Sequence, residues 1–350
     1  MSLQRTGCFL LFIVIIIIIA AILMDLNSSK HVNVAPTVKV LPSYSRSVYT
    51  GAWVTDFWDN KTKTLKPSNL TDFEEAIGQK VAIANIYSEW AYLSDPKLIP
   101  QLEEISSNGW TPMISSNPYF FDGCPKKNQS LYKTIASGAC DEFLKAAGVN
   151  LASYRKPLFF RFAWEMNLPN MYWSVKYVKS EPQDFIDAWR HFHDIVKQES
   201  ADNVIWVLSF NTTNSVTTPY AQLFPGDEYI DWVAIDGYNW GNTHSWSGWQ
   251  TFNGVFIKSY EELVSLTDKP VMISEVNSAP TGTGGNKEEW LKNMLTIQIP
   301  EKFPKIEAII FFNEDKSEGE KIDWRMEKSP EYISALKESL KNSLYKNSYP

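Results

Sequence analysis

Residues 157–167 read PLFFRFAWEMN. The run is apolar apart from Arg161 until it stops at Glu165 and Asn167. A short, almost unbroken apolar run is the pattern of a parallel strand buried on both faces. Its end points to chemistry, because a carboxylate beside so much apolar surface costs desolvation energy unless it is used or paired. Working outward, seven further runs repeat the pattern: 48–54, 81–87, 111–116, 203–209, 231–237, 270–275 and 306–312. Helical patterns lie between most of these runs or after the last, at 71–78, 97–107, 140–147, 182–199, 258–266, 286–296 and 330–343. In 182–199 a proline near the start precedes a stripe of Phe185, Ile186, Trp189, Phe192, Ile195 and Val196, the spacing of one buried helix face.

Strands alternating with helices over some three hundred residues predict an α/β fold, a single-domain (β/α)8 TIM barrel spanning 46–345. A doubly wound open sheet would carry a glycine-rich phosphate loop after its first strand, where Gly51 stands alone. Trp189 and Trp206 have core spacing. His191 and His193 sit on helix 182–199, away from any strand end. The TGTGG stretch at 281–285 lacks the Lys-Ser/Thr ending of a phosphate loop and reads as a flexible segment.

The 350 residues carry a net charge of −7, with 44% hydrophobic and 21% charged residues. That balance belongs to a globular chain and excludes a nucleic-acid partner, which needs clustered Lys and Arg. The 14 Trp, 16 Tyr and 19 Phe exceed what a core needs. Flat aromatic rings suit the C–H faces of sugars, so a polysaccharide is the expected partner of a chain expected to act as a monomer.

Residues 7–24 form an 18-residue run without a charge, preceded by Arg5 and followed by Asp25. A helix of that length rises roughly 27 Å, close to the hydrocarbon thickness of a bilayer. No A-x-A cleavage pattern follows. Residues 1–24 are therefore expected to be a signal-anchor transmembrane segment and 25–45 a polar tether, holding the barrel outside the cytoplasm; a cleaved signal and a secreted protein are the alternative. Cys8 lies at the start of the apolar run rather than after it, which argues against a lipoprotein. Cys124 and Cys140 lie 16 apart and are open to two readings, one disulfide or two free thiols. N-x-[ST] sequons occur at Asn27, Asn60, Asn69, Asn128 and Asn211.

Barrel chemistry sits at the C-terminal strand ends, which here offer Asp56, Glu89, Trp90, Asn117, Glu165, Asn167, Asn211, Tyr238, Asn239, Trp240, Glu275 and Asn313. Two carboxylates, Glu165 in RFAWEMN and Glu275 in VMISEVN, are embedded in apolar strand ends. One protonating a leaving oxygen while the other attacks or activates water is the arrangement of glycoside hydrolysis, with no metal and no cofactor. The competing role, a carboxylate paired with a structural arginine, has Arg161 as its candidate. Trp246 and Trp249, in the loop after the sixth strand, are candidates for sugar stacking, and His244 for substrate contact.

These residues resemble glycoside hydrolase family 26. PLFFRFAWEMN is similar to its fourth strand, NVIWVLSFN to the fifth, PGDEYIDWVAIDGYNWG to the sixth, KPVMISEV to the seventh and IEAIIFFNEDKSEGEKIDWR to the eighth. The resemblance covers roughly residues 48–340. It implies a retaining endo-acting β-glycosidase with Glu165 as acid/base, Glu275 as nucleophile, Tyr238 bonded to the nucleophile, and Asn239 and Trp240 lining adjacent subsites. Trp164 stands where family mannanases usually have His, and Phe311-Phe312-Asn313 where they have Trp-Phe-Asn. Trp90, Trp164, Asn167, Asn211, Trp246, Trp249 and Asn313 complete the expected substrate-binding set. β-1,4-Mannan is the first expected substrate, and mixed-linkage β-glucan or xylan the alternative. A non-catalytic carbohydrate-binding barrel, or an enzyme trimming the host's own surface polysaccharide, are further readings.

Overall fold

The computed structural model describes residues 46–121, 124–127, 129–282 and 284–350. The expected anchor at 1–24 and tether at 25–45 lie outside the described residues, as do the sequons at Asn27 and Asn128. No helix among the described residues is long and apolar enough to cross a membrane.

Eight parallel strands stand in sequence order: β1 Val48–Val54, β2 Ile83–Tyr87, β3 Thr111–Ser116, β4 Leu158–Phe162, β5 Val204–Asn211, β6 Trp232–Asn239, β7 Val271–Ser278 and β8 Ile306–Asn313. Pairing of β8 with β1, from Tyr49 opposite Ala308 to Val54 opposite Asn313, closes the sheet into a barrel. Outside it run α1 Pro67–Ile77, α2 Leu98–Ser107, α3 Leu131–Ala136, α4 Asp141–Tyr154, α5 Pro182–Gln198, α6 Phe252–Leu266, α7 Lys287–Asn293 and α8 Pro330–Ser339. Helix α5 starts with Pro182 and a capping box between Glu181 and Asp184, so its first N–H groups are satisfied where the chain leaves the β4 loop.

One feature agrees with the sequence reading, which places no helical pattern between the fifth and sixth strand runs, and one departs from it. The connection from β5 to β6 has only two 3-10 turns, Tyr220–Gln222 and Asp227–Tyr229, because Pro219, Pro225 and Gly226 interrupt any longer helix. Strands β5, β6 and β7 run two or three residues past their apolar stretches. These extensions hold polar residues, Asn211 and Tyr238 at the cleft and Asn239 and Asn277 in hydrogen bonds within the surrounding loops, so hydropathy falls before the backbone ladder ends.

Side-chain alternation along each strand builds that interior. At the N-terminal end, Ile83, Met113, Phe159, Val207, Trp232, Met272 and Ile310 form a buried plug, and the Tyr349 ring packs edge-on against Phe159 at 4.8 Å. Gly51 is required here, since a Cβ would lie 2.4 Å from the Ile310 side chain and 2.8 Å from the Ile83 carbonyl. Two residues further along the same inward rows come Asn85, Ser115, Arg161, Ser209 and Ser274, and four residues past Trp232 comes Asp236, all fully buried. The outward rows, such as Phe160 and Phe162 against Phe192 of α5, carry the helices.

Candidate active site

Arg161 organises the polar layer. It is the second inward residue of β4, fully buried, and each edge of its guanidinium is used. Nε donates to Ser115 Oγ at 2.7 Å, Nη1 to both oxygens of Asp236 at 3.0 Å, and Nη2 to Glu275 Oε1 at 2.5 Å. Burial disfavours the charge, but Asp236 and Glu275 more than compensate, and its pKa is raised. Asp236 also accepts from Ser274 Oγ at 2.6 Å and Ser209 Oγ at 3.3 Å.

Glu275 reaches the same layer through an irregularity in β7. Ile235 of β6 stands opposite Ile273, but the next residue, Asp236, stands opposite Glu275. The extra residue is Ser274. A bulge of this kind breaks the two-residue alternation. Ser274 and Glu275 consequently both face inward, the first to Asp236 and the second to the mouth of the barrel. Tyr87 donates to Glu275 Oε1 at 2.5 Å and Tyr238 to Oε2 at 2.5 Å. Burial, together with the Glu275 charge, pushes both phenols well above their ordinary range, so they remain hydroxyl donors.

Glu165 is positioned by backbone rather than by a strand. Beyond β4, Ala163 and Glu165 take left-handed conformations at φ 47° and 55°, which non-glycine residues adopt at a cost of order 1–3 kcal/mol each. The backbone N–H groups of Ala163 and Glu165 bond across to Ser116 and Ser209 of the flanking strands, holding the turn in place. The carboxylate accepts from Asn211 Nδ2 at 2.6 Å. Asn167 in turn grips the Asn211 backbone twice, Nδ2 to its carbonyl and Oδ1 from its N–H, both at 2.9 Å. Burial, then the charges of Asp236 and Glu275, hold the Glu165 carboxyl well above the usual carboxylate range. It is therefore suited to carry a proton that it can give away.

Oxygens of Glu165, Asp236 and Glu275 lie within 4.8 Å of one another. Such a triad could hold a cation, and the Arg161 guanidinium, bonded to two of the three, supplies positive charge at that point. Above it opens a cavity of about 1330 Å³ lined by Trp53, Trp58, Tyr87, Trp164, Trp173 and Trp240 among others. Trp164 lies between Tyr87 and Trp173, with ring centroids at 5.3 and 4.6 Å. At the rim, Trp246 is 69% exposed and stacks on His244 at 5.0 Å.

The glycosyl hydrolase family 26 model matches residues 127–295. Endoglucanase H of Acetivibrio thermocellus is 31% identical over 307 residues, covering 86% of this chain and 31% of that protein. The chain belongs to glycosyl hydrolase family 26. It spans 31% of the length of that curated relative. Among solved structures, it is similar to the catalytic domain of a family 26 endo-β-1,4-mannanase from Bacillus sp. JAMB-750, with a TM-score of 0.61, 17% identity and coverage of 86% of this chain and 87% of that one. An endo-β-1,4-mannanase double mutant from Cellulomonas fimi gives a TM-score of 0.61 at 11% identity, covering 86% and 72%. At such identities the likeness to these structures speaks for the barrel alone.

Of the expected site residues, Glu165, Glu275, Trp164, Asn211, Tyr238, Trp240 and Trp246 line the cleft. Five others do not, and the substrate contact expected of them is corrected. Trp90 lies in a 3-10 turn beyond β2, fully buried, with Nε1 bonded to the Cys124 carbonyl at 3.1 Å. Asn167 is the clamp on Asn211 just described. Asn239 ties the β6 loop together through Ser278, Gly241 and Gln250. Asn313 holds the segment after β8 through the Met326 N–H and Glu327. Trp249 lines a separate hollow of about 260 Å³ with Gly284, Gly285 and Trp290. Trp90, Asn167, Asn239 and Asn313 stand at or near a strand end in sequence and Trp249 in the loop after β6, yet none of the five lines the cleft. Cys124 and Cys140 form a disulfide. Asn211, inside the cleft and bonded to Glu165, is a sequon without the exposure that glycosylation requires.

Tyr87, Asp236 and Trp53 escaped the sequence reading. Tyr87 was reachable by counting inward positions along β2, from Ile83 through Asn85. Asp236 needed the observation that an aspartate midway along an apolar strand must face a buried cation. Trp53 occupies the third inward position of β1 and bonds Glu314 Oε2 through its indole N–H at 2.6 Å.

Proposed function

We propose that this family 26 barrel is a retaining, endo-acting β-glycan hydrolase. The observation that carries the reading is the pair of carboxylates, one proton-bearing and one held by hydroxyl and guanidinium donors, with oxygens within 4.8 Å at the base of an aromatic cleft. Carboxyl groups about 5–5.5 Å apart suit a covalent route, whereas inverting enzymes need about 6.5–9.5 Å to admit a water between them. In the first step Glu275 attacks the anomeric carbon as the glycosidic C–O bond breaks, and Glu165 gives its proton to the departing oxygen. In the second, Glu165 takes a proton from water as that water displaces Glu275 from the sugar. Asn211 orients Glu165, while Arg161, Tyr87 and Tyr238 orient Glu275. The open cleft supports internal cleavage of a long chain.

Two polymers compete as substrate. The relative above 30% identity is an endoglucanase, and Trp164 replaces the His usual in family mannanases; both favour a β-glucan, with mixed linkage the first to test. β-1,4-Mannan, the first expectation from the sequence, is the second reading. A panel of mixed-linkage glucan, mannan and xylan, read by new reducing ends, decides between them. Proton NMR of the first product decides the stereochemistry, and an inverted anomer would sink the two-step route.

We propose too that the barrel works outside the cytoplasm, tethered by residues 7–24. The charge-free run and the Cys124–Cys140 disulfide support this, since disulfides persist in oxidising compartments. Full-length protein should remain with membranes through a high-salt wash; recovery of a soluble form starting near residue 27 would refute the tether.

A further inference from the structure

Lys287, the first residue of α7, is fully buried. Its Nζ donates to the Trp324 carbonyl at 2.7 Å and lies 5.1 Å above the Tyr332 ring. No carboxylate lies within ion-pair distance of it among the described residues. Burial pulls its pKa down to about 7, against the opposing pull of the Asp323 and Glu327 charges. A buried ammonium without a close counterion is poor stabilisation, and an apolar side chain of similar length would cost less. What the ammonium touches offers another reason for its presence.

The Trp324 carbonyl receives a second donor, Asn277 Nδ2, at 2.6 Å, and the same amide also bonds the Phe312 carbonyl at 2.6 Å. Both acceptor sites of the Trp324 oxygen are thereby filled, one from β7 just past Glu275 and one from α7. The Trp324 ring, 1% exposed, packs on Tyr238 at 4.9 Å and on Trp240 at 5.0 Å. Tyr238 donates its hydroxyl to Glu275 Oε2. A continuous path of contacts thus runs from the Lys287 ammonium through Trp324 and Tyr238 to the carboxylate.

We infer that Lys287 is a positioning residue: by pinning the Trp324 carbonyl it fixes the wall that aims the Tyr238 hydroxyl at Glu275. The role rests on the two-carboxylate reading proposed above. It requires Lys287 and Tyr238 to act as one unit, whereas a residue that merely stabilises the fold would act independently of Tyr238.

The test is a double-mutant cycle with Lys287→Met and Tyr238→Phe, measuring kcat and KM separately on the best glycan and thermal unfolding of each variant. Lys287→Met is expected to lower kcat about tenfold with KM within about twofold, and to lower it less than about twofold further once Tyr238 is Phe, the signature of coupled sites. If Lys287→Met does not fold, Lys287→Gln takes its place in the same cycle, with a smaller loss and the same non-additivity expected. Independent, multiplicative losses in the two variants would overturn the positioning role alone. A wild-type protein with no hydrolysis of any glycan in the panel would overturn it together with the proposed function.

Discussion

Replacing Tyr87 by Phe removes one oxygen from the site and leaves the ring. The ring is held by Trp53, edge-on at 4.9 Å, and by Trp164 at 5.3 Å, so the cleft wall should keep its shape. What is lost is a 2.5 Å hydroxyl bond to Glu275 Oε1. A hydrogen bond to a charged group contributes about 1.5–3 kcal/mol, or roughly 10- to 150-fold in rate at about 1.36 kcal/mol per decade. Arg161 Nη2 stays on the same oxygen at 2.5 Å, which places the loss near the lower end, about tenfold in kcat/KM. Among the described residues Tyr238 is the sole donor to Oε2, so Tyr238→Phe should fall toward the upper end. The assay is kcat/KM on an aryl β-glycoside and on the natural polymer, with thermal unfolding as the control. Changes below about threefold in both variants, with folding intact, would refute the view that these hydroxyls orient the nucleophile.

Glu165→Ala should lose about 10²- to 10⁴-fold in activity on polymer, far less on substrates with good leaving groups, and azide should restore turnover by attacking the glycosyl-enzyme; no azide effect would count against Glu165 as acid/base. Because burial and two negative charges raise the Glu165 pKa, the proton it must donate persists to higher pH, and the alkaline limb of kcat/KM in the wild type should lie above the usual carboxylate range. Asp236→Asn removes one of those charges and leaves more of Arg161's field on Glu165, so the limb should move to lower pH; an unmoved limb in a folded variant would contradict the electrostatic account. Phe159→Ala in the barrel plug should cost about 3–5 kcal/mol in denaturant unfolding while activity per folded molecule is retained, since the plug lies at the opposite end of the barrel from the cleft.

Much of this was legible in the chain itself. Parallel strands buried on both faces need continuous apolar runs, so all eight appear as such, within a few residues of their final limits. A carboxylate embedded in such a run is conspicuous because its desolvation must be compensated, which is why Glu165 and Glu275 stand out. The partners of those carboxylates are another matter. Tyr87, Arg161, Asp236 and Tyr238 come from three strands, β2, β4 and β6, spread over about 150 residues, and nothing local marks Tyr87 or Asp236 as neighbours of the two carboxylates. The bulge at Ser274 sends two consecutive side chains inward, against the two-residue rule that any strand pattern assumes. The same limit applies to Trp90, Asn167, Asn239 and Asn313 at or near strand ends and to Trp249 in the β6 loop: sequence position sets where the backbone goes, while packing decides whether a side chain lines the cleft. Strand identity is a property of solvent exclusion along a segment and can be read from it. The catalytic geometry depends on register between segments and on turns held by cross-strand hydrogen bonds, and these exist only once the barrel has closed.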